Sequence, residues 1–167
     1  PFHAATGQSA ASFVTTVQAE GLARWLAACG RRGELQRYLT GQRQDRAIIQ
    51  VFAHGRSQLK RLYASGVPRE QMLTRKHGIL AQTGARVLAL ERQWHVHPGY
   101  DQWIAAGLNN ADLASVGTYS DCVPGFERLL ARNGGELPRF YAAVRRISRD
   151  RQARRALCAP SPPRREP

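Results

Sequence analysis

The chain has 167 residues, 43% of them hydrophobic, and a formal charge of +13. That length and apolar content predict one domain with a real core and exclude disorder along most of the chain. No apolar run approaches the length of a membrane-crossing helix, and no signal-peptide pattern opens the chain, which begins Pro1-Phe2-His3 without Met and reads as a processed product or an interior piece.

The positive charge invites a nucleic-acid reading, because Lys and Arg displace counterions from phosphates. The distribution weighs against it: arginine is spread along every predicted helix and greatly outnumbers lysine. The one dense run is Arg145-Arg146-Ile147-Ser148-Arg149-Asp150-Arg151 followed by Arg154-Arg155, where an anionic polymer would bind if it bound anywhere. Cys29, Cys122 and Cys158 stand far apart with no CxxC pair, so a zinc knuckle is not expected. An odd count argues against a pure disulfide framework and leaves open one bridge of unassigned pairing.

In chain order, Ser9 to Cys29 is the first predicted helix. Val14, Val17, Gly21 or Leu22, Trp25 and Ala28 recur at helical spacing and form its expected buried stripe, and Gly30 can take a left-handed cap. Glu34 to Ser65 is the longest, with Ile48, Phe52, Gly55, Leu59 and Leu62 in a four-three rhythm; Gly55 can let another helix approach closely. Gly66-Val67-Pro68 ends it and starts Arg69 to Trp94, whose stripe is Leu73, His77, Leu80, Gly84, Val87, Glu91 and Trp94. A short Gly-Pro turn between two long helices predicts an antiparallel pair.

His95-Val96-His97-Pro98-Gly99 then breaks the helix, Tyr100 to Ala106 forms a short helical piece, and Gly107 closes it. Cys122-Val123-Pro124-Gly125 opens a further helix, stopped at Asn133-Gly134-Gly135, and Pro138 starts the last, with Leu137, Phe140, Tyr141, Val144 and Ile147 on its apolar face. The Pro- and Arg-rich run 159–167 is expected to be a disordered tail. No strand pattern of useful length occurs. The expected fold class is all-α, a single helical domain over 1–158 built on a long antiparallel helix pair plus shorter C-terminal helices.

The densest polar group on an apolar frame is Leu108-Asn109-Asn110-Ala111-Asp112-Leu113-Ala114-Ser115-Val116-Gly117-Thr118-Tyr119. Two Asn residues ahead of an apolar-periodic segment read first as a helix start, in which one amide accepts from a free N–H of the first turn. The second Asn has a donor and an acceptor to spare, which suits a site holding a peptide-like ligand. His95 and His97 alternate across Val96 and could share a metal, but nothing nearby supplies a third ligand, and His3, His54 and His77 stand alone. No HExxH, GxSxG or phosphate-binding glycine loop occurs, and no carboxylate pair stands at acid–base spacing.

Several segments together resemble the C-terminal part of the bacterial predicted aminopeptidase family. They are Leu108 to Ser115, Thr118-Tyr119, Val123-Pro124-Gly125-Phe126, and Gly134-Gly135-Glu136-Leu137-Pro138-Arg139-Phe140-Tyr141, with Leu62-Tyr63-Ala64-Ser65-Gly66 and Glu20-Gly21-Leu22-Ala23-Arg24-Trp25-Leu26 upstream. The resemblance implies a zinc peptidase that removes N-terminal residues by zinc-activated water, with a peptide N-terminus as partner and the cell envelope as its place. It also implies that Asn109 and Asn110 bind substrate and that Tyr119 is the catalytic donor to the oxyanion. The departures fall on the metal. The family's HExxH would stand upstream of the first residue here, and its Asn-Glu-Ser-Phe-Ala segment is Ala10-Ala11-Ser12-Phe13-Val14, so Ala11 stands in place of the glutamate ligand and Gln18 in place of a further Glu. The expectation is therefore no metal ligand and no cofactor in this chain, although zinc is implied for the intact family: a fragment or degenerate member, or else a helical module that binds a peptide without cutting it.

Overall fold

The computed structural model describes residues 4–95 and 99–159. The regular elements among them are all helices, in the order α1 (Ala4–Ala28), α2 (Arg32–Tyr63), α3 (Arg69–Trp94), α4 (Asp101–Ala105), α5 (Asn110–Ser120), α6 (Val123–Arg132), α7 (Leu137–Ser148) and α8 (Arg151–Leu157). The fold is all-α. The Pro/Arg tail expected over 159–167 lies outside the described residues except for Ala159, as do His3 and His97. The chain divides into two compact units, one of residues 33–117 and one of residues 1–32 with 118–167.

In the 33–117 unit, α2 and α3 are joined by residues 64–68, and their apolar rhythms meet in one core of Ile48, Phe52, Leu59, Leu80, Val87 and Leu113. Burial of these side chains holds the pair together, at about 1.5–3 kcal/mol for each large aliphatic or aromatic residue. Gly55 sits against Thr83: a Cβ there would overlap the Thr83 hydroxyl and lie 3.4 Å from Leu113 Cδ2. Gly84 likewise admits Ile104, whose Cγ2 would be 2.8 Å from an added Cβ. The expected α3 stripe is buried only from Leu80 onward. Leu73 is 46% exposed and His77 is exposed, so the start of α3 lies outside the core of this unit.

The second unit is organised by an aromatic cluster. Phe13 of α1 lies 5.7 Å from Phe126 of α6, 5.9 Å from Phe140 and 6.1 Å from Tyr141 of α7, centroid to centroid. The contact face of α1 corrects the sequence reading. Val14, Leu22 and Trp25 of the expected stripe are 50%, 41% and 51% exposed, and the buried positions are Ser12, Thr16 and Leu26. Small residues let α1 pack on α6, and their hydroxyls are satisfied: Ser12 Oγ donates to the Tyr119 carbonyl at 3.1 Å and, within the helix, Thr16 Oγ1 to the Ser12 carbonyl at 2.9 Å. Trp25 instead lies under the Arg31 guanidinium, 5.4 Å from its ring centroid. Gly30 takes a left-handed φ of +69° and closes α1, as its position predicts.

The helix α8 is absent from the periodicity reading. Asp150 starts it, its carboxylate accepting from Gln152 N at 2.7 Å and Ala153 N at 3.2 Å. Cys158 at its end is bonded to Cys122 at the start of α6, leaving Cys29 free and exposed. Between those ends Gly125 faces the Leu157 carbonyl. A Cβ on Gly125 would collide with that oxygen and stand 2.8 Å from its carbon. The expected outcome of Gly125→Ala is a loss of at least about 2 kcal/mol in urea unfolding, since backbone cannot yield as a side chain can. Replacing Cys122 and Cys158 together by Ala is expected to cost roughly 3–4 kcal/mol in the same assay, from the 36-residue separation the bond closes.

Candidate functional site

The Asn109-Asn110 pair falls at the start of α5, and the structure gives the two side chains different tasks. Asn109 is the helix cap. Its Oδ1 accepts from Ala111 N at 2.8 Å and from Asp112 N at 3.3 Å, and its own backbone N–H donates to Asp112 Oδ2 at 2.8 Å. Two otherwise unpaired N–H groups are thus satisfied reciprocally with a third, and the aspartate also places negative charge at the positive end of the helix.

Asn110 turns to the last residue of α2. The Tyr63 hydroxyl donates to Asn110 Oδ1 at 3.0 Å and accepts from Asn110 Nδ2 at 2.8 Å, so the two groups close a cyclic pair. Both residues are exposed, Tyr63 by 43%. One edge of the amide is used, and a second N–H and a second carbonyl lone pair remain for a ligand. Tyr63 lies outside the Leu59-Leu62 rhythm of α2 and within the family-like segment Leu62 to Gly66, and neither signal points to its partner, 47 positions away.

Tyr119 lies near the end of α5, in the other compact unit, with 63% of its surface exposed, and its carbonyl accepts from Ser12. Asn109 and Asn110 are in the 33–117 unit.

A further polar group was hidden in an apolar stripe. Glu91 is 4% exposed. Its Oε1 accepts from Gly99 N at 2.8 Å and Tyr100 N at 3.2 Å, which ties the end of α3 to the start of α4, and among the described residues Oε2 is buried without a partner. The signal was a carboxylate at a core position of the repeat. Tyr100 packs with Phe52 and Trp103, at 5.8 Å from each ring centroid. Burial, and then the Asp45 and Glu91 carboxylates, push its hydroxyl above the ordinary tyrosine range.

The described residues do not fit a zinc ion. Among the described residues no group of three His, Cys, Asp or Glu side chains could hold a metal. His54, His77 and His95 are exposed and lie on separate turns. Ala11 contributes a methyl to α1, and its carbonyl accepts from Thr15 Oγ1 at 3.1 Å.

An all-helical protein with an exposed amide–phenol pair at a capped helix start is the class that the fold and these contacts define. The sequence profile of the family described as "Putative aminopeptidase" matches residues 4–158, and the chain belongs to that family. No curated protein and no solved structure matches it.

Two outcomes are expected from these contacts. Asn109→Ala should cost about 1 kcal/mol in chemical denaturation through the lost cap, and Asn110→Ala less than about half of that, because an exposed pair adds little. Tyr100 binds its proton more tightly folded than unfolded, so stability present below the ordinary tyrosine range should be lost as pH rises through Tyr100's higher one. Tyr100→Phe should flatten that alkaline loss in thermal melts across pH.

Proposed function

We propose that this chain is a non-hydrolysing member of the aminopeptidase family, a helical module that holds a short peptide without cutting it. The observation that carries this reading is the exposed Asn110–Tyr63 pair within the family's Asn-Asn-Ala motif. A peptide backbone offers one donor and one acceptor per residue, and the free edge of the Asn110 amide offers the complement. Asn109 acts through Asn110: by capping α5 it sets where the next side chain stands. Ala11 in the place of a metal ligand supports the absence of hydrolysis. The Cys122–Cys158 bond suits an oxidising compartment, in keeping with the cell-envelope location that the resemblance implies.

The test is binding of trialanine followed by NMR shifts of the chain's side-chain amides, beside zinc content after incubation with zinc and dialysis. The reading expects shifts centred on Asn110, affinity about tenfold lower in Asn110→Ala, no retained zinc and no release of p-nitroaniline from alanine p-nitroanilide. Zinc retained near one per chain, with turnover of that substrate, would return the protein to the hydrolytic members of the family. Peptide affinity unchanged by Asn110→Ala would remove the site.

A further inference from the structure

A hollow of 230 Å³ opens in the unit of residues 1–32 and 118–167. Phe13 of α1, Phe126 of α6, Val144 and Ile147 of α7 and Leu157 of α8 supply its apolar walls. One charged side chain, Arg154, lines it as well. The guanidinium donates through Nη1 to the Ser148 carbonyl at the end of α7, a neutral partner. Among the described residues no carboxylate is paired with Arg154. Asp150, the one acidic residue in the dense basic run, is occupied in capping α8. The half-buried cation thus keeps its charge uncompensated at the edge of an oily hollow, and the rest of its donor fork is free for a ligand.

We propose that this hollow is a binding site for a small amphiphilic carboxylate, its hydrocarbon body among the aromatic and branched walls and its carboxylate on Arg154. At about 30 Å³ for each solvent-sized group, a space of 230 Å³ takes a straight chain of roughly eight heavy atoms, the size of a medium-chain fatty acid. The wall from α8 is set in place by the Cys122–Cys158 bond and by Gly125, which admits the Leu157 carbonyl. The basic run thereby gains a role as one anchor for a single anion. The proposal is independent of the peptide reading, since no residue is shared between the two, and either can fail alone.

The test is calorimetric titration of the 167-residue chain with octanoate, octan-1-ol, octylammonium and acetate. Octanoate should bind at least about tenfold more tightly than octanol, the increment of one charge-assisted hydrogen bond, with octylammonium and acetate weaker still. Arg154→Gln should bring octanoate to the level of octanol and leave octanol unchanged. Ala10, exposed and on the rim, offers a second handle: Ala10→Trp should block both ligands while the melting temperature stays that of the parent. Acetate binding as well as octanoate would mean surface charge alone. That result, equal affinities for octanoate and octanol, full octanoate binding in Arg154→Gln or in Ala10→Trp, or no binding at all, would overturn the proposal.

Discussion

The bond between Cys122 and Cys158 is the constraint on which the C-terminal unit depends. It returns the end of α8 to the start of α6. α8 is too short to hold itself, since isolated helices of this length are marginal in water. With the bond in place, Gly125 lets the Leu157 backbone come against α6, and Leu157 joins Phe126, Leu129, Leu130 and Phe140 in one core. The apolar hollow and the position of Arg154 follow from the same closure, because α8 contributes one of the walls.

The 33–117 unit solves a different problem, that of buried polar groups. The backbone N–H groups of Gly99 and Tyr100, ahead of α4, need acceptors, and Glu91 accepts both from inside the core. The start of α5 is satisfied by the reciprocal Asn109–Asp112 cap. These contacts hold α4 and α5 against the long helix pair, so that Trp103, Ile104, Leu108 and Val116 close the apolar cluster. The same cap leaves Asn110 at the surface beside Tyr63, and the pair stands out as polar chemistry on an apolar frame.

Family membership and chemistry rest on different features of a chain. The match covers residues 4–158, nearly the whole chain, and the helical frame carries it. A metal site is a matter of three or four side chains, and among the described residues no such group stands together. The same helical frame carries an amide edge in one unit and an apolar hollow with one cation in the other.

Helix existence was legible from the sequence. Periodicity marked α2 and α3 with their shared core residues, glycines marked the ends of α1 and α6, and Asn109-Asn110 marked the start of α5, because each signal is carried by residues within a few turns of one another. α8 had such a signal too, in the Asp150 cap, but seven residues give too little repeat to read. The buried face of α1 was misread because that helix is apolar on more than one side. Its true face, Ser12 and Thr16, is chosen by how closely α6 packs on it. The Cys122–Cys158 pairing, the Tyr63 partner of Asn110 and the Ser12 bond to Tyr119 join residues 36, 47 and 107 positions apart. Only the folded chain decides such contacts, because no local preference records which distant surface will come to lie opposite.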